Sequence, residues 1–147
     1  MSNDVKQKDM KVDIILSDGF VMTELSGVVD VLRLANRVVD KKLFTFRYVS
    51  PEPGIVKSSA ETWLNASALS NNPDADIAVF LGNSDLNFTS REIEKAVHKY
   101  RYTNAKVVLL AEAAAIYISA NSDDGFGHTT HWENRLLLEE RSGLYDI

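Results

Sequence analysis

The chain has 147 residues, the size of one globular domain, with 45% apolar and 25% charged residues, which excludes disordered and fibrous classes. Its formal net charge of -5 argues against the basic surface that grips nucleic acid. Cysteine is absent, which excludes disulfides, thiolate metal sites and thiol catalysis.

The N-terminal segment 1–11 is polar and mixed in charge. It has neither the apolar centre of a signal peptide nor a run long enough to span a bilayer. We therefore interpret 1–11 as a polar leader and 12–147 as a single domain. The expected location is the cytoplasm, without membrane contact.

Strand and helix patterns alternate along the first half of the domain. Val12 to Leu16 is a β-branched run followed by turn residues, which predicts a buried strand. Apolar residues recur at helical spacing from Met22 to Val39, and then alternate with polar residues from Leu43 to Val49. A helix and a second strand are predicted there. The spacing in 55–68 is typical of a hairpin.

The same alternation continues in the second half. Asp76 to Gly82 is nearly all apolar, as in a central parallel strand. Thr89 and Glu92 form a capping-box pattern ahead of another helix. Lys106 to Leu110 predicts a strand that runs directly into an alanine-rich helix, with the junction near Ala111.

The C-terminal part predicts one more strand at 127–130 and a helix that begins near Thr130 and stops at Gly143. Alternating strands and helices indicate an α/β fold, an open and mostly parallel sheet of the flavodoxin-like type with helices on both faces. Ligands of such sheets bind beyond the carboxyl ends of the strands. The candidate loops are 17–24, 82–88, 111–112 and 129–132.

Several motifs resemble one known superfamily. They are Asp18-Gly19-Phe20 with Glu24-Leu25-Ser26-Gly27, Val31-Leu32-Arg33-Leu34-Ala35-Asn36, Tyr48-Val49-Ser50, Ser58-Ser59, and Thr129-Thr130-His131-Trp132. Their order and spacing resemble the DJ-1/PfpI (ThiJ) superfamily, which is class I glutamine amidotransferase-like. Within it, the chain resembles the N-terminal domains of AraC-type transcriptional regulators.

The resemblance implies where a catalytic centre would lie. Family enzymes carry a cysteine on a tight elbow at the third strand-to-helix junction, twenty residues before the histidine that matches His131, and this count leads to Ala111. Glu24 matches the family carboxylate, but Gly82 is followed by Asn83 instead of a second glycine. Alanine has no group that attacks a substrate, so we expect no enzyme activity.

The function that the resemblance implies is a ligand-sensing or dimerising domain of an AraC-type regulator. Its expected pocket lies near Glu24, Gly82, Asn83, Ala111, Glu112 and His131 and holds a small metabolite. Two carboxylates there favour a cationic or hydrogen-bond-donating ligand over a phosphate. No cofactor and no metal are expected.

The expected partner is a second copy of the chain. DNA would be contacted only through a helix-turn-helix domain that this chain does not contain. We also expect it to lack the family's last strand and helix. Two alternatives stay open: an enzyme of the isonitrile hydratase or glyoxalase-like kind with an unconventional centre, and a purely structural dimer module. Individually, Glu24 is also explained by helix capping and His131 by a backbone hydrogen bond.

Overall fold

The computed structural model describes residues 9–83 and 90–120 of the chain. In this part, strands and helices alternate as the sequence pattern predicts. The elements are β1 (Met10–Ile15), α1 (Met22–Val39), β2 (Phe44–Ser50), β3 (Gly54–Lys57), β4 (Trp63–Ala68), β5 (Ile77–Phe80), α2 (Ser90–Tyr102), β6 (Lys106–Leu109) and α3 (Ala111–Ala120).

The six described strands form one open sheet in the order β3-β4-β2-β1-β5-β6. All neighbouring strands are parallel except β3 and β4, which form the antiparallel hairpin predicted for 55–68. The strand β1 lies between β2 and β5, with Ile14 opposite Tyr48 on one side and Val79 on the other. The predicted mostly parallel α/β sheet is therefore confirmed.

Helices cover both faces of the sheet. Alternate residues of β1 and β5 point to opposite faces, and each set packs against a different helix. Val12, Ile14 and Leu16 belong to one buried cluster with Leu25 of α1. Ile15 belongs to a second cluster, whose other members include four α2 residues: Ile93, Ala96, Val97 and Tyr100. The central strand is thus buried on both faces.

The first strand begins at Met10, two residues before the predicted start at Val12. Met10 and Lys11 lie opposite Phe44 and Thr45 in the β1–β2 ladder, which extends the strand into the expected leader. Thr89, half of the predicted capping box, lies outside the described residues. The C-terminal strand at 127–130 and the helix after it also lie outside them.

A charged side chain lies in the centre of the sheet. Asp13 is buried on β1 and accepts hydrogen bonds from Arg47 Nε at 2.7 Å and from the Tyr100 hydroxyl at 2.7 Å. Both oxygens of Asp13 are bound, since Arg47 Nη2 reaches Oδ2 at 3.2 Å. Burial, followed by the bond to Asp13, raises the pKa of Tyr100 far above its usual range. This network joins β1, β2 and α2.

In the part of the chain that the structure describes, no helix combines the length and apolar character needed to cross a bilayer.

Candidate functional site

The carboxyl ends of three parallel strands lie side by side at one edge of the sheet. Backbone hydrogen bonds continue past the strand ends, from Leu81 N to Ile15 O and from Leu110 N to Phe80 O, both at 3.0 Å. The chain continues from β1 through α1 to β2 on one side of β1, whereas β5 and β6 lie on the other side of β1. The direction of the strand order therefore reverses between β1 and β5, and open α/β sheets bind ligands at such a point.

The junction between β6 and α3 is a sharp turn at Ala111. Its φ of 41° lies in the left-handed region that residues with a side chain adopt rarely and at a cost. Ala113 N donates to Leu110 O at 2.9 Å, which closes the turn. The elbow that the resemblance implies at this position is therefore present, but it carries only a methyl group.

Glu24 lies in the first turn of α1 and faces the end of β5. Its Oε1 accepts a hydrogen bond from the backbone N–H of Gly82 at 3.2 Å. The cap position of α1 is Val21, which has no side-chain hydrogen bond to the helix. The hydrogen bond that Glu24 makes thus joins two elements of the fold instead of capping its own helix.

Gly82 leaves room for two carboxylates. A Cβ at this position would lie 2.3 Å from Glu112 Oε2 and 3.0 Å from Glu24 Oε2. Both side chains therefore pack against the Cα of Gly82. Space, and not an unusual φ, is the reason why this position holds glycine.

The electrostatics of the pair are unfavourable for two ionised groups. Burial raises the pKa of Glu24, and the nearby Glu112 carboxylate raises it further, whereas the bond from Gly82 N–H opposes the shift. Glu112 Oε2 is buried and has no hydrogen-bond donor in the described part of the chain. A buried acceptor without a donor is costly and uncommon in folded proteins.

Asn83 is also buried, but its amide serves the neighbouring loop. Its Nδ2 donates to Ser17 Oγ at 2.7 Å and to the backbone oxygen of Asp18. Phe20 forms isolated backbone bridges with both Asn83 and Ser58. These contacts hold the β1–α1 loop in place, so the bonds described for Asn83 are those of a positioning residue.

Four of the six predicted site residues come together: Glu24, Gly82, Ala111 and Glu112. His131, with the rest of Thr129–Trp132, lies outside the described residues. Within 9–83 and 90–120, no group of three or more histidine, aspartate or glutamate side chains is arranged to hold a metal ion.

A small polar cavity that the sequence pattern does not predict lies at the same end of the sheet. It measures about 200 Å³, and its lining includes the carboxylates Asp18, Glu52 and Glu92. Asp18 lies three residues after the last residue of β1, and Glu92 lies in the first turn of α2. These positions in the chain were the signal from which the sequence could have indicated the cavity. Carboxylates therefore surround the end of β1 on more than one side.

The sequence of this chain matches no family model and no curated protein. Its structure is similar to solved structures. One is an AraC family transcriptional regulator from Pseudomonas putida, with a TM-score of 0.78 and 26% sequence identity over 91% of this chain and 73% of that chain.

Two further similar structures are more distant in sequence. A DJ-1 superfamily protein from Agrobacterium tumefaciens has a TM-score of 0.66 and 17% identity, over 91% of this chain and 71% of that one. A ThiJ/PfpI domain protein from Brachyspira murdochii has a TM-score of 0.67 and 11% identity, over 92% and 78%. The fold is therefore that of DJ-1, ThiJ and PfpI proteins, and it is shared with an AraC family regulator.

Proposed function

We propose that this chain is a non-catalytic sensing domain of an AraC-type transcriptional regulator, and that it binds a small molecule at the Glu24–Glu112 pair. The observation that carries the proposal is the buried Glu112 Oε2, to which no group of residues 9–83 and 90–120 donates, at the end of the sheet where such folds bind ligands. A bound ligand with an N–H group would supply the missing hydrogen bond.

The elbow supports a binding role over a catalytic one. Its backbone conformation is the kind that exposes a nucleophile, but Ala111 has none and the chain has no cysteine to replace it. The similar AraC family regulator points in the same direction. The surviving carboxylates then serve recognition, since the residue that would form a covalent bond is absent.

The charge around the pair indicates the class of ligand. Glu24 and Glu112 pack against Gly82, and the nearby cavity adds Asp18, Glu52 and Glu92. These negatively charged carboxylates repel a phosphate or carboxylate ligand, whereas an ammonium, amidinium or guanidinium group would neutralise the charge of the Glu24–Glu112 pair. We infer a small cationic or hydrogen-bond-donating metabolite.

The remaining parts of the proposal follow from the resemblance and from the similar regulator. His131 is a further pocket residue, and the domain works as a homodimer in the cytoplasm. Contact with DNA takes place through a separate helix-turn-helix domain. In these roles the chain is the ligand-sensing part of a regulator.

The test is a thermal-shift screen of the chain against small amines, guanidines and amides, with carboxylates and phosphates as a comparison set. A specific ligand raises the melting temperature by mass action. Glu24→Gln, Glu112→Gln and His131→Ala should each reduce the shift. Glu61→Gln is the matched control, because this exposed glutamate lies in the β3–β4 turn and pairs only weakly with Lys57 at 3.8 Å.

The outcomes separate the alternatives. Cationic hits that are retained in Glu61→Gln and lost in the pair variants support the proposed site. Hits confined to phosphates, or thermal shifts that are unchanged in both Glu24→Gln and Glu112→Gln, contradict the proposed site. A complete absence of hits would favour the structural dimer module.

A further inference from the structure

A groove lies along the exposed side of α2, next to α3. It measures about 810 Å³, which is within the range of volumes of small-molecule sites. Its polar and aromatic lining in the described part of the chain includes Lys95, His98, Lys99, Arg101, Tyr102 and Tyr117. We call it the α2–α3 groove, and its lining differs from that of the Glu24–Glu112 site.

The α2–α3 groove is cationic, although the net charge of the chain is -5. Among its described lining residues, Lys95, Lys99 and Arg101 are cations and Glu94 is an acid. Within residues 9–83 and 90–120, no carboxylate forms an ion pair with any of these three cations. The ion pairs described there involve other bases, which are Lys11, Arg33, Arg47 and Lys57.

Helix stability explains only part of this arrangement of charges. Lys99 and Arg101 lie in the last turn of α2, where the helix dipole favours cations. Lys95 lies one turn earlier, and it is four residues before Lys99, a spacing at which like charges on a helix repel each other. An anion bound between the two lysines would remove this repulsion.

Two tyrosines supply flat ring surfaces beside the cations. Tyr102 is 80% exposed at the C-terminal end of α2, and Tyr117 of α3 is half-buried. Arg101 Nη1 donates a long hydrogen bond of 3.5 Å to the Tyr117 hydroxyl, which links the two helices. A guanidinium has further N–H donors, so Arg101 can bind an anion and keep this bond. The exposed ring of Tyr102 offers a stacking surface for a planar group.

The spacing of the cations and the exposed ring indicates the shape of a ligand. Tyr102 lies seven residues after Lys95 and three after Lys99, which is about 10 Å and about 5 Å along the helix axis. A ligand that reaches both features therefore needs a ring and an anionic group that are joined by a short spacer. An inorganic anion or an uncharged ring would use only one part of the groove.

We propose that the α2–α3 groove binds an organic anion in which a planar aromatic ring is joined to a phosphate or carboxylate group. Lys95 and Lys99 bind the anionic group, with Arg101 as a further donor, and the ring stacks on Tyr102.

This site goes beyond the proposed function, because its ligand has the opposite charge to the ligand of the Glu24–Glu112 pair. Both sites use α3, since Tyr117 lies five residues after Glu112, about 8 Å along that helix. The chain would therefore bind two ligands of opposite charge at the two ends of one short helical segment.

The first experiment is isothermal titration calorimetry of the full chain with adenosine monophosphate and with phenylpropionate. Adenosine, inorganic phosphate and acetate are the comparison ligands, because each carries only the ring or only the anion. We expect at least one of the two probes to bind with a Kd at least about tenfold lower than every comparison ligand. The tighter probe distinguishes a phosphate site from a carboxylate site. Raising the salt concentration from about 0.05 M to about 0.5 M should weaken binding, because it screens exposed charges.

The second experiment assigns the binding to the groove. The double variant Lys95→Gln/Lys99→Gln should raise the Kd of the probe at least about tenfold, because two charge-assisted hydrogen bonds are lost. Lys42→Gln is the matched control, since this exposed lysine precedes β2, outside the groove. Tyr102→Leu should raise the Kd about three- to tenfold, because the stacking surface is lost. Tyr102→Phe keeps the ring and should bind as the parent chain does.

Failure of both probes to bind would overturn the inference. So would binding that is unchanged in the lysine double variant and in Tyr102→Leu, or inorganic phosphate or acetate that binds as tightly as the probes. A clearly lower melting temperature of the unliganded double variant than of Lys42→Gln would also overturn it, since the lysines would then serve the fold. The screen of the Glu24–Glu112 site uses cationic ligands and other variants, so the two proposals can fail separately.

Discussion

The backbone N–H of Gly82 donates a hydrogen bond to Glu24 Oε1, across 58 positions of sequence, and ties the first turn of α1 to the end of β5. The same glycine accommodates the Glu112 carboxylate from the α3 side. Three elements thus meet at one Cα that has no side chain.

Gly82→Ala should destabilise the chain by about 1 kcal/mol, the low end of the overpacking range, because the new methyl group displaces Glu112 Oε2, the end of a flexible side chain, and crowds Glu24. Chemical denaturation would measure the free energy of unfolding. In a Glu112→Ala background the nearest clashing atom is gone, so the same substitution should cost clearly less. Equal costs in both backgrounds would show that the Glu112 carboxylate does not pack on Gly82 as described.

The stability of the chain should depend on pH through Glu24. Its pKa in the folded chain is raised above the ordinary value of 4.5, so the stability linked to its protonated form is complete below that value and is lost as the pH rises through the folded pKa. Glu24→Gln removes this titration while keeping an oxygen that can accept from Gly82 N–H. Its melting temperature relative to the parent chain should therefore rise between about pH 4 and about pH 7. A difference that is constant with pH would contradict the raised pKa.

Tyr100→Phe should cost about 1–3 kcal/mol of unfolding free energy, because it removes a donor from the buried carboxylate of Asp13 without changing the shape of the ring. Arg47 continues to bind Asp13, so the chain should still fold. Urea denaturation measures the effect, and Tyr102→Phe on the exposed end of α2 is the matched control. Equal stability of the two variants would show that the hydroxyl of Tyr100 contributes nothing.

Ala111→Gly should stabilise the chain by up to about 1 kcal/mol, since glycine adopts the positive φ of the elbow without strain. Ala114→Gly, in the buried interior of α3, should instead destabilise it by about 1 kcal/mol, because glycine is a poor helix former. Melting temperatures of both variants test this contrast. A loss of stability in Ala111→Gly would show that the turn is not strained.

Local patterns predicted the elements well, because period and turn residues are properties of short segments. The β1 run, the α1 spacing and the hairpin at 55–68 all appear where the patterns indicate. The extension of β1 to Met10 was not predictable, since it depends on pairing with Phe44 in a distant strand.

Contacts between distant segments were beyond sequence reasoning. Asp13 lies in an apolar run of the sequence, and nothing in that run indicates its hydrogen-bond partners. These are Arg47 and Tyr100, which lie 34 and 87 positions away. In α1, two rows of apolar residues have helical spacing, and only the position of the sheet decides which row is buried. The helical spacing of Leu25, Val28, Val29 and Leu32 indicated the row that the sheet buries, whereas the exposure of Val31 and Leu34 was not predicted.

For the candidate site, the resemblance correctly indicated the elbow at Ala111, and the structure shows its positive φ. The interaction of Glu24 and Glu112 through Gly82 was not visible, because it requires the ends of β5 and β6 to be adjacent. The use of the Asn83 amide by the β1–α1 loop was not visible either, because it requires the ends of β1 and β5 to be adjacent.

The alanine at the elbow also has a chemical consequence for signalling. A thiolate on such a turn is oxidised stepwise by peroxide, to sulfenic and then to irreversible sulfinic acid. This chain, without any cysteine, has nothing at Ala111 for an oxidant to convert. Occupancy of the proposed site at Glu24 and Glu112 would then follow only the ligand concentration, so it would be reset by dilution and need no reductant.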